Sequence, residues 1–199
     1  LTIYRPLSAT FSGMSLKSPD GKRFMLVNSS HPVCRQNFTV AHELYHLFVE
    51  ENPQPHNCAA EGCKNESEQC ADAFAQMFLM PAAGVLEFIP ADELPKDRIT
   101  IGTVIRMEQY FSVSRQAMLN RLFDLDFISR QYREVLMAYP VIRTAREYGH
   151  DTTLYQPGNE NQVIGDFGER ARRLYDDEKI SEGHYRELMS KIGIYGDED

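Results

Sequence analysis

Four cysteines, Cys34, Cys58, Cys63 and Cys70, are too few to frame a chain of 199 residues as a disulfide-stapled secreted domain, so reduced thiols are the default reading. Long apolar runs are missing too. Nothing approaches the roughly 20 apolar residues that cross a bilayer, and the opening LTIYRPLSATFSG lacks the basic-then-apolar order of an export signal. Positive charge is scarce: 21 Lys and Arg against 29 Asp and Glu leave a formal net charge of −8, which opposes bulk attraction to DNA phosphates or anionic membranes. Repeats and low-complexity tracts are absent. Together these absences point to a cytoplasmic protein with no membrane partner. What is present is ordinary for a globular chain, with 42% hydrophobic and 25% charged residues, enough to bury a core.

Turn and helix signals organise the chain. Ser18-Pro19-Asp20-Gly21 lies between ATFSGMSLKS and KRFMLVN, which predicts a β-hairpin with an exposed edge. From Asn37 to about Glu51, Val40, Ala41, Leu44, Leu47 and Phe48 recur at helical spacing, and Pro53 and Pro55 mark the stop. A second helix is expected from about Asn65 to Met80, ended by Pro81. PADELPKDR reads as a boundary, giving regions 1–95, 96–130 and 131–199. The middle region, TIGTVIRMEQYF then SVS then RQAMLNRLFDL, has the outline of a helix-turn-helix. Further helices are expected at about 128–147 and 166–192, the latter as two helices around Ile180-Ser181-Glu182-Gly183.

His42-Glu43-Leu44-Tyr45-His46 forms HExxH inside the first helix. Residues i and i+4 stack on one helical face, so both imidazoles can reach one ion while Glu43 projects beside them as a general base. A catalytic zinc site needs a third protein ligand and an open position. The second helix offers Glu68 with Asp72 four residues on, flanked by the small Ala71 and Ala75. In this reading Glu68 ligates, and Asp72 accepts the remaining ring N–H of a ligating histidine. Glu66 and Glu61 are competing ligands, and Glu68 also stands at capping-box distance from Asn65. His56, Cys58 and Cys63 form a separate potential metal cluster with no evident fourth ligand. Zinc suits the HExxH set best, and Mn²⁺ or Fe²⁺ also accept two imidazoles and a carboxylate.

These residues resemble the ImmA/IrrE family of metallopeptidases. The resemblance rests on NFTVAHELYH from Asn37 to His46 and on EQCADAFAQMFLMP from Glu68 to Pro81, with looser similarity through FMLVN and QYFSVSRQAMLNRLFDLDFIS. It implies His42, His46 and Glu68 as metal ligands and Glu43 as the catalytic acid–base. It also implies cleavage of a helix-turn-helix transcriptional repressor, derepressing mobile-element, phage or stress genes. Tyr45 departs from the family's usual glycine and is expected either to fill a packing gap or to narrow the cleft.

The expected fold is α+β: a zincin-like domain with a small sheet and the HExxH helix, then a helix-turn-helix-like region and C-terminal helices. Substrate is expected to lie extended along the hairpin edge. His31 is a candidate for stabilising the oxyanion, with Tyr110 and Tyr132 as alternatives. The alternative functional class is a regulator that binds DNA or a repressor around a non-catalytic metal site. In it, Arg115, Gln116, Asn120 and Arg121 would face bases or phosphates, although Asp124, Asp126 and the acidic balance oppose direct nucleic-acid binding.

Overall fold

The computed structural model describes residues 1–50, 58–59 and 66–194. The hairpin is present as β2 (Phe11–Lys17) and β3 (Arg23–Asn28), with Gly21 at φ 80 closing the turn. A positive φ is what glycine supplies there. Two strands that the sequence reading passed over extend the sheet: β1 (Thr2–Arg5) pairs parallel with β3, and β5 (Val163–Ile164) pairs antiparallel with β1. The two-residue β4 (Cys58–Ala59) pairs with Phe11 and Gly13 of β2, completing the order β4-β2-β3-β1-β5. The hairpin edge expected to be exposed is therefore covered at Phe11 and Gly13.

Alternation along the strands decides what each sheet face meets. Met25 and Val27 of β3 and Tyr4 of β1 pack with Val40, Leu44 and Leu47 of α1 (Val33–Phe48). Phe24, Leu26 and Ile3, one residue out of phase, pack instead with the C-terminal helices through Ala171, Leu188 and Met189. The sheet is thus layered between α1 and the chain's last two helices.

Helix α1 begins four residues before Asn37, where Pro32 supplies a φ of −54 ahead of the first turn. Its start is held by Gln36, fully buried, whose amide donates to the carbonyls of His31 (2.7 Å) and Gly158 (2.9 Å). Helix α2 (Glu66–Leu79) packs along α1. Asn65, the proposed capping partner of Glu68, lies outside the described residues.

After Pro81 comes a short α3 (Ala82–Phe88), then α4 (Ile101–Phe111) and α5 (Arg115–Asp124), joined through Ser112 in the left-handed region. Thr100 and Ser114 cap these two helices by accepting from Thr103 and Ala117. The segment expected to be helical at 128–147 is two helices, α6 (Arg130–Met137) and α7 (Val141–Glu147), because Pro140 cannot continue the first. The last pair, α8 (Phe167–Asp176) and α9 (Glu182–Lys191), breaks where expected. One apolar cluster joins α4 to α7 through Val104, Ile105, Met118, Leu122 and Leu136, and it also takes in Cys34 of α1 and Met80. Each such fully buried side chain contributes about 1.5–3 kcal/mol. This shared core sets the second half of the chain against α1, which carries the HExxH residues, and the end of α2.

Candidate metal centre

His42 and His46 are both buried on α1, one turn apart, with their Nε2 atoms 3.2 Å from each other. From α2, the Glu68 carboxylate places Oε2 3.2 Å from His42 Nε2 and Oε1 3.4 Å from His46 Nε2. Donors held at roughly 2.0–2.1 Å around a tetrahedral ion stand about 3.3 Å apart. The three separations are of that size, with the two contacts to Glu68 made by different carboxylate oxygens; taken one donor atom per residue, His42, His46 and Glu68 lie within 4.8 Å of one another, close enough to gather around a divalent ion. Glu66 is exposed, whereas Glu68 is drawn in toward the histidines. Glu61, His56 and Cys63, together with the Cys58 side chain, lie outside the described residues.

The outward nitrogens of both rings meet carboxylates. His42 Nδ1 lies 2.9 Å from Asp72 Oδ1, the partner anticipated from the Glu68-to-Asp72 spacing. Burial works against protonating His42, but the Asp72 hydrogen bond and the charges of Glu43, Asp72 and Glu68 outweigh it and raise its pKa above the ordinary value. In the metal-binding state the same bond holds the proton on Nδ1 and leaves Nε2 as the donor to the ion.

His46 Nδ1 lies 2.8 Å from Glu50 Oε2, and Ser67 Oγ donates to Glu50 Oε1 at 2.5 Å. The sequence reading missed Glu50. Its signal was the four-residue step from His46, inside the helix expected to run to about Glu51; in the structure α1 ends at Phe48 and Glu50 still reaches back to the ring.

Glu43 is 1% exposed and faces β2. A Cβ at Gly13 would stand 3.6 Å from Glu43 Oε1 and only 2.5 Å from Thr39 Cγ2. Glycine at this position lets the strand backbone approach the face of α1 that carries Thr39 and Glu43. Tyr45 packs its ring on His46 (5.6 Å between centroids) and on Phe74 (5.9 Å), filling the seam between α1 and α2.

Other sequence candidates are engaged elsewhere. His31 is buried with Nε2 3.0 Å from the Ala9 carbonyl, which anchors the loop before β2. Tyr132 donates to the Ile99 carbonyl, and the exposed Tyr110 packs on Phe88 and Phe111. Arg115, 2% exposed, pairs with the fully buried Glu108, which also accepts from Tyr155 at 2.6 Å. Arg121 is buried and donates to the Met80 carbonyl, Asn120 accepts from Arg133, and Gln116 is exposed. Two of the four side chains considered for nucleic-acid contact therefore point into the core.

An α+β chain with HExxH on one helix and a further carboxylate on the helix packed against it carries the donor set of a metallopeptidase. Residues 2–123 match the family model for the IrrE N-terminal-like domain of the M78 peptidases, and the chain belongs to that family. The family implies a bound metal, typically zinc, and a protein substrate. A search of curated proteins found no match. Among the described residues, no helix is long and apolar enough to cross a membrane.

Proposed function

We propose that the protein is a zinc-dependent endopeptidase in which His42, His46 and Glu68 hold the metal and Glu43 is the catalytic acid–base. The observation that carries this reading is the convergence of one donor atom each from His42, His46 and Glu68 to within 4.8 Å of one another, with the buried Glu43 on the same helix. A zinc ion held there supplies a Lewis acid that acidifies water to a pKa of about 7 and polarises a peptide carbonyl. Glu43 takes the proton from the attacking water and delivers it to the leaving amine. Asp72 and Glu50 keep the two imidazoles oriented with Nε2 inward.

The substrate we propose is a helix-turn-helix transcriptional repressor, cut in the cytoplasm to derepress mobile-element, phage or stress genes, as the family resemblance suggests. The division into a zincin-like region 1–95, a helix-turn-helix-like region 96–130 and helices at 131–199 belongs to the same proposal, the middle region acting as scaffold. The inward placement of Arg115 and Arg121 supports scaffold over DNA reader.

The test is metal content and peptidase activity on protein purified without chelators. About one zinc per chain is expected in the parent and in Glu43→Gln, sharply less in Glu68→Ala, and proteolysis in the parent alone. Undiminished cleavage by Glu43→Gln would overturn the mechanism, and a parent that takes up no zinc would remove its chemical basis.

A further inference from the structure

Helix α2 runs antiparallel to α1, since Asp72 meets His42 while Glu68 also reaches His46. Beyond Asp72 the seam between the two helices opens into a groove of about 840 Å³, lined by Asp72 and Gln76 of α2, Arg35 and Phe38 of α1, Gln116 of α5 and Ile142 of α7. Its walls are mixed, with apolar surface from Phe38 and Ile142 and polar groups from the others. It adjoins the metal cluster from behind His42, through Asp72, whose carboxylate lies 2.9 Å from the Nδ1 turned away from the ion site.

Arg115 lines this groove too but is paired with Glu108, which leaves Arg35 as its cation for an incoming group. Arg35 is half-buried, and its Nη2 donates to Ser12 Oγ of β2 at 3.0 Å. It has no carboxylate partner among the described residues. In a chain of net charge −8, many arginines are paired to acids, as Arg115 is to Glu108 and Arg143 to Glu147. A guanidinium left with only a hydroxyl, partly withdrawn from water, retains donors suited to a carboxylate.

Arg35 precedes His42 by two helical turns, about 10 Å along the axis at ~1.5 Å per residue. An extended peptide covers the same distance in about three residues at ~3.3 Å each. Because Arg35 also touches Ser12, next to Gly13, it stands where the groove meets the β2 side of the catalytic helix.

We infer that the groove is a specificity subsite taking an extended segment of the substrate, in which Arg35 binds an aspartate or glutamate side chain about three residues from the scissile bond. The inference rests on the peptidase reading of the adjoining metal site. Phe38 and Ile142 receive the apolar residues between, and Gln76 and Gln116 meet the peptide backbone. The charge-assisted bond from Arg35 to the bound acid acts mainly on binding of the ground state.

Two measurements separate this inference from the reading on which it rests. The first is fluorescence anisotropy of the metal-free protein with short fluorescein-labelled peptides that are identical except for a central Asp or Lys. This reads the groove without any catalysis. The Asp peptide is expected to bind about tenfold tighter. Arg35→Gln removes the preference, Arg35→Lys keeps part of it, and Arg35→Glu reverses it. Equal binding of the two peptides by the parent, or an unchanged preference in Arg35→Gln, overturns the inference.

The second is cleavage by zinc-loaded protein of a peptide set varied at the third residue on either side of the cut. The acid preference is expected in KM with kcat little changed on one side. Absence of zinc-dependent cleavage with an intact binding preference counts against the peptidase reading and overturns the groove as a subsite of cleavage, leaving an acid-selective peptide groove. Cleavage with no acid preference on either side removes the subsite and leaves the peptidase.

Discussion

Replacing Gly13 with alanine tests whether the approach of β2 to α1 sets the geometry around Glu43. The new methyl would lie 2.5 Å from Thr39 Cγ2 and 3.0 Å from the Leu26 carbonyl oxygen. Ordinary contacts between carbons begin at about 3.5 Å, so strand and helix must part by roughly 1 Å. Overpacking of this kind costs about 1–3 kcal/mol. For a chain of this size that is a fall in Tm of roughly 2–12 °C at about 2–4 °C per kcal/mol.

The same displacement acts on Glu43, whose Oε1 is the next nearest atom to the added methyl. A shift of that size costs on the order of 100-fold in rate. Thr39→Ser removes the clashing Cγ2 and keeps the hydroxyl that donates to the Arg35 carbonyl. The double variant Gly13→Ala/Thr39→Ser should therefore regain a substantial part of both losses, short of complete recovery because the Leu26 contact persists. Thermal melts and cleavage of a fluorogenic peptide by all four proteins make up the cycle. A neutral Gly13→Ala, or a loss that Thr39→Ser leaves unchanged, refutes the reasoning.

The carboxylates behind the histidines should tune metal affinity. Asp72→Asn and Glu50→Gln are each expected to weaken zinc binding by about 10–100-fold in competition with a chelating dye, and unchanged affinity in both would show that they do not support the ligands. His31 should make stability fall on mild acidification. Burial lowers its pKa below the ordinary 6.5, the Ala9 carbonyl opposes this, and the Arg35 charge adds to it. The unfolded chain therefore takes up a proton near pH 6.5 that the folded chain refuses, so stability present above that value is lost as pH falls toward the folded pKa. His31→Gln should melt with a flatter pH dependence just below 6.5 than the parent, and identical slopes would contradict this.

Legibility in the sequence followed the range of the interactions concerned. The hairpin turn and the helices around His42 and Asp72 are announced by local signals: Gly21 where φ must be positive, apolar residues at helical spacing, and Pro81 past the end of α2. Two four-residue steps on adjacent helices suggested Asp72 beside one of the HExxH histidines, and which ring it meets, His42, comes only from the structure. Strand β1 was not legible, since TIYR is short and its partner β3 is the far strand of the hairpin, so only the tertiary register reveals it.

The short β4, which covers the hairpin edge at Phe11 and Gly13, comes from a segment remote in sequence and carries no local strand signal. Arg115 and Arg121 illustrate a different limit. Their chemistry suits nucleic acid, and nothing in a run of polar letters says that Glu108, seven residues earlier, and the Met80 carbonyl have already engaged them. Glu50 stands one helical step after His46, within the expected helix, and its role shows only in the structure, where its carboxylate reaches back to the ring from just past the end of α1.

The two-sided covering of the sheet bears on how the protein is born. The family-matching stretch ends at residue 123, yet Ile3, Phe24 and Leu26 bury themselves against α8 and α9, and β1 gains its second neighbour only from β5. As the chain leaves the ribosome, the residues of HExxH emerge early and wait beside a sheet with one greasy face still wet. That face becomes dry only after α8 and α9 have been translated. Drying of that face therefore waits on residues 167–191, far downstream of the helix that the opposite face of the same sheet supports.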